Sequence, residues 1–118
     1  MGELLRLETY RRDAQRRAGR KNAKATYFSR LELNSLLSVY SQRVASGEWR
    51  DYAIDHRPGL AVFSIFRHTH ERPLFAIAKR PLGKTTEYLV FSDRERIARA
   101  GTLGEALAVF EKKLRVVS

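Results

Sequence analysis

The sequence predicts an α+β fold: a five-stranded, mainly antiparallel meander sheet flanked by two amphipathic helices, with a flexible basic N-terminal arm. Three observations predict it. Apolar residues recur at helical spacing over 30–46, at every second position through the middle of the chain, and at helical spacing again over 103–115. Capping boxes stand at the two points where the helical spacing begins, Ser29 with Glu32 and Thr102 with Glu105. The stretches of period two are joined by short connections, which favour antiparallel neighbours. The domain organisation that follows is an arm at 1–27 and a single α+β domain at 28–118.

Residues 1–27 carry Arg6, Arg11, Arg12, Arg16, Arg17, Arg20, Lys21 and Lys24 against Glu3, Glu8 and Asp13. Such a segment repels itself and has no dense apolar pattern after Leu7, so it is expected to be mobile or only partly helical. Leu4, Leu7 and Tyr10 could form one short helical stripe. The first firm element is a helix over about 30 to 46. Ser29 can accept from the Glu32 N–H while the Glu32 carboxylate reaches back to the Ser29 N–H. Phe28 and Leu33 stand at hydrophobic-staple spacing, Leu33, Leu36, Leu37, Tyr40 and Val44 form the stripe, and Gly47 sits where a left-handed C-cap belongs.

Five strands are expected next, at Arg50–Arg57, Leu60–Arg67, Leu74–Arg80, Glu87–Phe91 and Arg96–Ala100. Pro58-Gly59, a polar loop at His68–Pro73, a turn at Pro81–Lys84 and Ser92–Glu95 join them. The last helix opens at Thr102, with Leu103, Ala106, Leu107, Phe110 and Leu114 on one face and Lys112, Lys113 and Arg115 toward the negative end of its dipole. The second and third strands are apolar on both faces, Ala61, Phe63 and Ile65 against Val62 and Phe66 in the one case. An antiparallel sheet with one wet face would alternate cleanly. Something therefore covers both faces: helices on opposite sides, a strongly curled sheet, or a second subunit. The curled sheet with helices is the reading preferred, with a homodimer kept open.

Composition narrows the function classes. The chain of 118 residues holds 23 Lys and Arg against 13 Asp and Glu, a formal net charge of +10, with no cysteine. That excludes a disulfide scaffold, a thiolate nucleophile and any cysteine-ligated metal. The charge-free stretch Leu33–Gln42 is too short to span a bilayer. No apolar run follows Met1 as a secretory signal would require, and Arg6 stands where a myristoylation motif wants Ser or Thr. A cytoplasmic protein with no membrane partner is expected.

Four constellations could carry chemistry. Gly83-Lys84-Thr85 looks like the end of a phosphate-binding loop, but Ala78 stands where that motif needs its first glycine, and a strand follows where it needs a helix. A plain hairpin turn is the better reading. His68-Thr69-His70-Glu71 offers two imidazoles and a carboxylate, yet reads as a surface loop, so no metal or other cofactor is expected. Glu48, Asp51 and Asp55 beside Trp49 and His56 are the best acid–base candidates. Asp51 and Asp55, four residues apart on one strand face, stand about 13 Å apart at strand rise, too far to act on one bond. The basic residues carry the reading furthest. Arg11, Arg12, Arg16, Arg17, Arg20 and Lys21 of the arm, with Lys79, Arg80 and Lys84, could follow a phosphate backbone, and Tyr10, Tyr27 or Phe28 could stack on bases.

The blocks Gly47-Glu48-Trp49-Arg50-Asp51-Tyr52-Ala53-Ile54-Asp55, Ala61-Val62-Phe63-Ser64-Ile65-Phe66-Arg67 and Lys79-Arg80-Pro81 carry a family likeness. Over about Tyr27 to Val116 the chain resembles the alphaproteobacterial domain-of-unknown-function family 2794. It departs from that family after Pro81, where only Leu82–Thr86 precedes the fourth strand in place of a longer basic stretch. The resemblance implies a bacterial cytosolic protein and supplies no activity, cofactor or catalytic residue. The function expected is thus a small non-enzymatic binding module for an anionic partner, RNA or DNA. The alternative is a homodimeric or protein-interaction regulatory module using an apolar sheet face, and an enzyme ranks third.

Overall fold

The computed structural model describes residues 6–18, 24–68, 72–93 and 95–108, leaving aside the side chains of Ala14, Arg17 and Ala18. Two helices precede the sheet, α1 at Leu7–Ala18 and α2 at Arg30–Ala45. The strands follow as β1 Asp51–Arg57, β2 Leu60–Phe66, β3 Phe75–Leu82, β4 Thr85–Ser92 and β5 Glu95–Ala100. They pair in sequence order, every neighbour antiparallel, so the expected meander is the observed one. Helical residues 103–108 follow β5, and the rest of the last helix expected, 109–115, lies outside the described residues.

The double-sided apolar strands explain the layering. One face presents Phe63 and Ile65 of β2, Phe75 and Ile77 of β3 and Val90 of β4, and there α2 brings Leu36 with Phe28 and Trp49, joined by Leu103, Ala106 and Leu107. The other face presents Leu60, Val62, Ala76, Ala78, Leu89 and Phe91, and Leu7 and Tyr10 of α1 close over it. The two helices expected to flank the sheet therefore lie on the same side of it, and the third helix covers the other. Leu7–Ala18 falls within the segment expected as a mobile arm. Its few apolar groups are enough because an uncovered apolar sheet face in water is the larger penalty. The surface that suggested docking of a second copy is thus occupied by the chain itself. The remainder of that arm, 1–5 and 19–23, lies outside the described residues.

Local signals at α2 behave as its sequence predicts. Ser29 caps the helix with both bonds of the capping box present. Ser46 is the C-cap, and Gly47 follows it at φ 81°, a left-handed conformation that costs a residue without Cβ least. The β3–β4 hairpin is longer than expected. Pro81 is not in its turn but pairs with Thr86, and Leu82 pairs with Thr85, which leaves a two-residue loop with Gly83 at φ 61° in first position. A proline is tolerated there because β2 pairs with β3 only as far as Lys79, so no strand stands on the side where the missing N–H would have donated.

Candidate functional site

The meander sends β1, β3 and β5 out, and β2 and β4 back, so one end of the sheet collects both the β1–β2 and β3–β4 hairpins. Both flanking segments lead to the same end. The residue before α1 bridges Arg6 to Glu95 at the far end, and near its C-terminus Gln15 accepts from Arg57 at 3.3 Å. The linking segment then bridges Ala25 to Pro58, and Ser29 opens α2 beside Lys79 and Tyr88. The hairpin end therefore gathers Arg11, Arg16, Lys24, Arg30, Arg57, Lys79, Arg80, Lys84 and Arg99, with Asp13, Glu32, Asp55, Glu87 and Glu105 as its carboxylates. At the opposite end Arg6, Arg43, Arg50, Arg67, Arg72 and Arg96 meet Glu8, Glu48, Asp51, Asp93 and Glu95, which nearly cancels. The described charge is polarised along the strands.

Strand alternation assigns the two consecutive cations of β3 to opposite faces and to different partners. Lys79, at 18% side-chain exposure, donates to Glu32 Oε1 at 2.8 Å and to the Tyr27 carbonyl at 2.9 Å. The other Glu32 oxygen accepts a short bond from the Tyr88 hydroxyl. Burial alone would raise the Glu32 pKa. The hydrogen bonds from Lys79, Tyr88 and the Ser29 N–H, with the Lys79 charge, outweigh burial and hold it below the ordinary carboxylate value. Burial, then the bond to Glu32 and its negative charge, push the Tyr88 phenol up to about 12. On the α1 side, Arg80 pairs with Glu87 at 2.9 Å and its guanidinium lies 5.1 Å from the Tyr10 ring centre. Arg99 shares Glu87 at 3.4 Å.

These pairings sort the residues singled out from sequence. Lys79 and Arg80 are engaged inside the fold, the one tying α2 to the sheet and the other tying α1 to it. Arg11 lies 3.9 Å from Asp55, and Arg16 pairs with Asp13 one helical turn away. Arg12 and Lys84 are exposed and form no ion pair among the described residues, and so are Lys24 and Arg30, which sequence reasoning did not select. No local signal marks Arg30, which reaches the hairpin end only because α2 opens there. Arg17 belongs to α1 by its backbone only, and Arg20 and Lys21 lie outside the described residues.

The other constellations disperse. Gly83-Lys84 is the hairpin loop, and β4 starts at Thr85. His68 is exposed, while Thr69, His70 and Glu71 lie outside the described residues. Glu48 pairs with Arg43 at 3.5 Å, Asp51 accepts from the Tyr52 N–H at 2.8 Å, and Asp55 faces Arg11. His56 points to the α2 side with Tyr27 and Phe28, away from both aspartates, so no acid–base set assembles there. Among the described residues no helix is long and apolar enough to cross a membrane. Comparison with curated proteins and with solved structures finds no match to the chain. Residues 26–104, which run from the pinned segment before α2 through the whole sheet, match the family described as protein of unknown function (DUF2794), and the chain belongs to that family.

Proposed function

We propose that the protein is a small non-enzymatic binding module whose partner is a polyanion, RNA or DNA, engaged by the hairpin end of the sheet. A cytoplasmic location goes with this reading. One observation carries it: Asp13, Glu32 and Glu87 are paired with Arg16, Lys79, Arg80 and Arg99, and Glu105 is held in the cap with Thr102, while Lys24, Arg30 and Lys84 stand exposed with no ion pair among the described residues. Cations clustered and left without a counter-charge raise the local potential and attract phosphates. Each phosphate they neutralise releases counterions, so affinity falls linearly on a log–log plot against salt, by about 0.7 to 0.9 per contact.

Fluorescence anisotropy with labelled RNA and DNA oligonucleotides, titrated across a salt series, tests the reading. Binding should weaken steeply with salt. The Arg30→Glu/Lys84→Glu double variant should bind more weakly with a shallower slope, whereas Arg72→Glu at the balanced end should change little. Absence of a complex at low salt, or equal losses from both variants, refutes it.

A further inference from the structure

Tyr27 combines exposure with immobility. The residue is 61% exposed, while Tyr10 and Phe28, the other aromatics the sequence offers for stacking, are buried at 7% and 4%. Its backbone is held on every side. The Thr26 N–H donates to the Arg57 carbonyl at 2.8 Å, and the Thr26 hydroxyl accepts from the Gly59 N–H at 3.1 Å. The Tyr27 carbonyl accepts from Lys79, and two residues on Ser29 caps α2. His56 backs the ring with centroids 4.6 Å apart, leaving most of the ring in solvent. Burying an aromatic ring is among the larger favourable terms a small domain has, and here a rigid segment holds one outward. Lys24 and Arg30 lie three residues to either side, both exposed.

Resting on the polyanion reading above, we infer that Tyr27 is a base-stacking platform and that the partner is a single-stranded nucleic acid. An unpaired base stacks on the outward ring while Lys24 and Arg30 take the neighbouring phosphates. A duplex keeps its bases stacked on one another and offers the ring nothing, whereas an unpaired base of any identity presents a π-face. A ring held in place before binding loses little conformational freedom on stacking. The arrangement therefore selects strandedness without reading sequence.

The test uses the whole chain, with a labelled single strand of about 12 nucleotides and a duplex of the same length, at one salt concentration and across a salt series. Wild type should prefer the single strand. Tyr27→Ala should lower single-strand affinity by about tenfold, from the usual worth of one stacked base, with duplex affinity and salt slope unchanged. Tyr27→Phe, which keeps the ring, should retain the preference, and matching melting temperatures for both variants confirm that the fold is intact. An alanine variant that weakens both probes equally, or neither, overturns the stacking role. The second of those results assigns Tyr27, with the exposed Leu31, to a protein-facing patch instead. Failure of wild type to bind either probe at low salt overturns the polyanion reading itself, a result distinct from the other two.

Discussion

Replacing Tyr10 by alanine tests whether α1 holds the second face of the sheet. Tyr10 is 7% exposed, and its ring meets Phe91 edge-to-face with centroids 5.7 Å apart. The Arg80 guanidinium lies 5.1 Å from the ring centre, and Arg96 Nη1 reaches the hydroxyl at 3.4 Å. Truncating a buried aromatic costs about 3 to 5 kcal/mol, of which the aromatic pair and the cation–π contact each supply about 1 kcal/mol. A helix lying on a sheet can settle into part of the space, which places the expected loss at the low end, about 3 kcal/mol. At a urea slope of about 2 kcal/mol per molar, the midpoint should fall by about 1.5 M. Tyr10→Phe keeps the ring and gives up only the long bond to Arg96, so it should lose less than about 1 kcal/mol. Equilibrium urea unfolding followed by circular dichroism reads both variants. An alanine midpoint within about 0.25 M of wild type, or about 0.5 kcal/mol, refutes the packing of α1.

The Glu32 cluster predicts a pH dependence. Its folded pKa lies below the unfolded value, so the stability it contributes is present above about pH 5 and disappears as the pH falls below about 4. The melting-temperature gap between wild type and Glu32→Gln should be largest near neutrality and close in acid; a gap constant over that range contradicts the linkage. Tyr88 has the opposite sign: its contribution is complete below pH 10 and is lost as the pH rises toward 12. Tyr88→Phe should remove the latest-ionising phenol from an alkaline absorbance titration, and an unchanged late limb assigns that phenol elsewhere. Ser29→Ala should cost about 1 kcal/mol, the usual worth of one N-cap bond, because Glu32 can still accept from the backbone N–H of residue 29. Thermal melts decide it, and a loss of several kcal/mol would show that the cap does more than cap.

What was legible in the sequence is what local chemistry determines. The cap at Ser29, the turn at Pro58-Gly59 and the order of the five strands each follow from neighbours within a few residues. The apolar content of both faces of β2 and β3 was legible too, and it required two covers. Which segment supplies the second cover was not, because the α1 signal consists of Leu7 and Tyr10 amid arginines whose charge suggests solvent. Those arginines carry long apolar stems that can lie along a surface with the charge at its edge, so a basic helix can cover a sheet. The hairpin loop was misplaced for a similar reason: proline ordinarily marks a turn, and only the absence of β2 beside Pro81 makes it acceptable in a strand. Lys79 and Arg80 read as phosphate contacts because charge can be counted locally while partners cannot. Glu32 and Glu87 reach them only after α2 and β4 have docked.

The same topology that makes α1 a cover also makes it a carrier of charge. Because it enters beside Glu95 and ends near Arg57, Arg16 arrives at the hairpin end, where Lys24 and Arg30 follow. Removing residues 1–23 would therefore uncover Leu60, Val62, Leu89 and Phe91 and strip cations in one step, and lost binding could then be ascribed to either cause. Changing exposed charges one at a time separates them, because Arg12, Arg30 and Lys84 are exposed and make no ion pair among the described residues. Their substitution leaves the core as it was and alters only the field above it. The carboxylates point the same way. Glu32 pairs with Lys79 and fastens α2 to the sheet, Glu87 pairs with Arg80 and Arg99 across β3, β4 and β5, and neither pairs with Lys24, Arg30 or Lys84. Folding this chain thus concentrates unneutralised positive charge where the two hairpins turn.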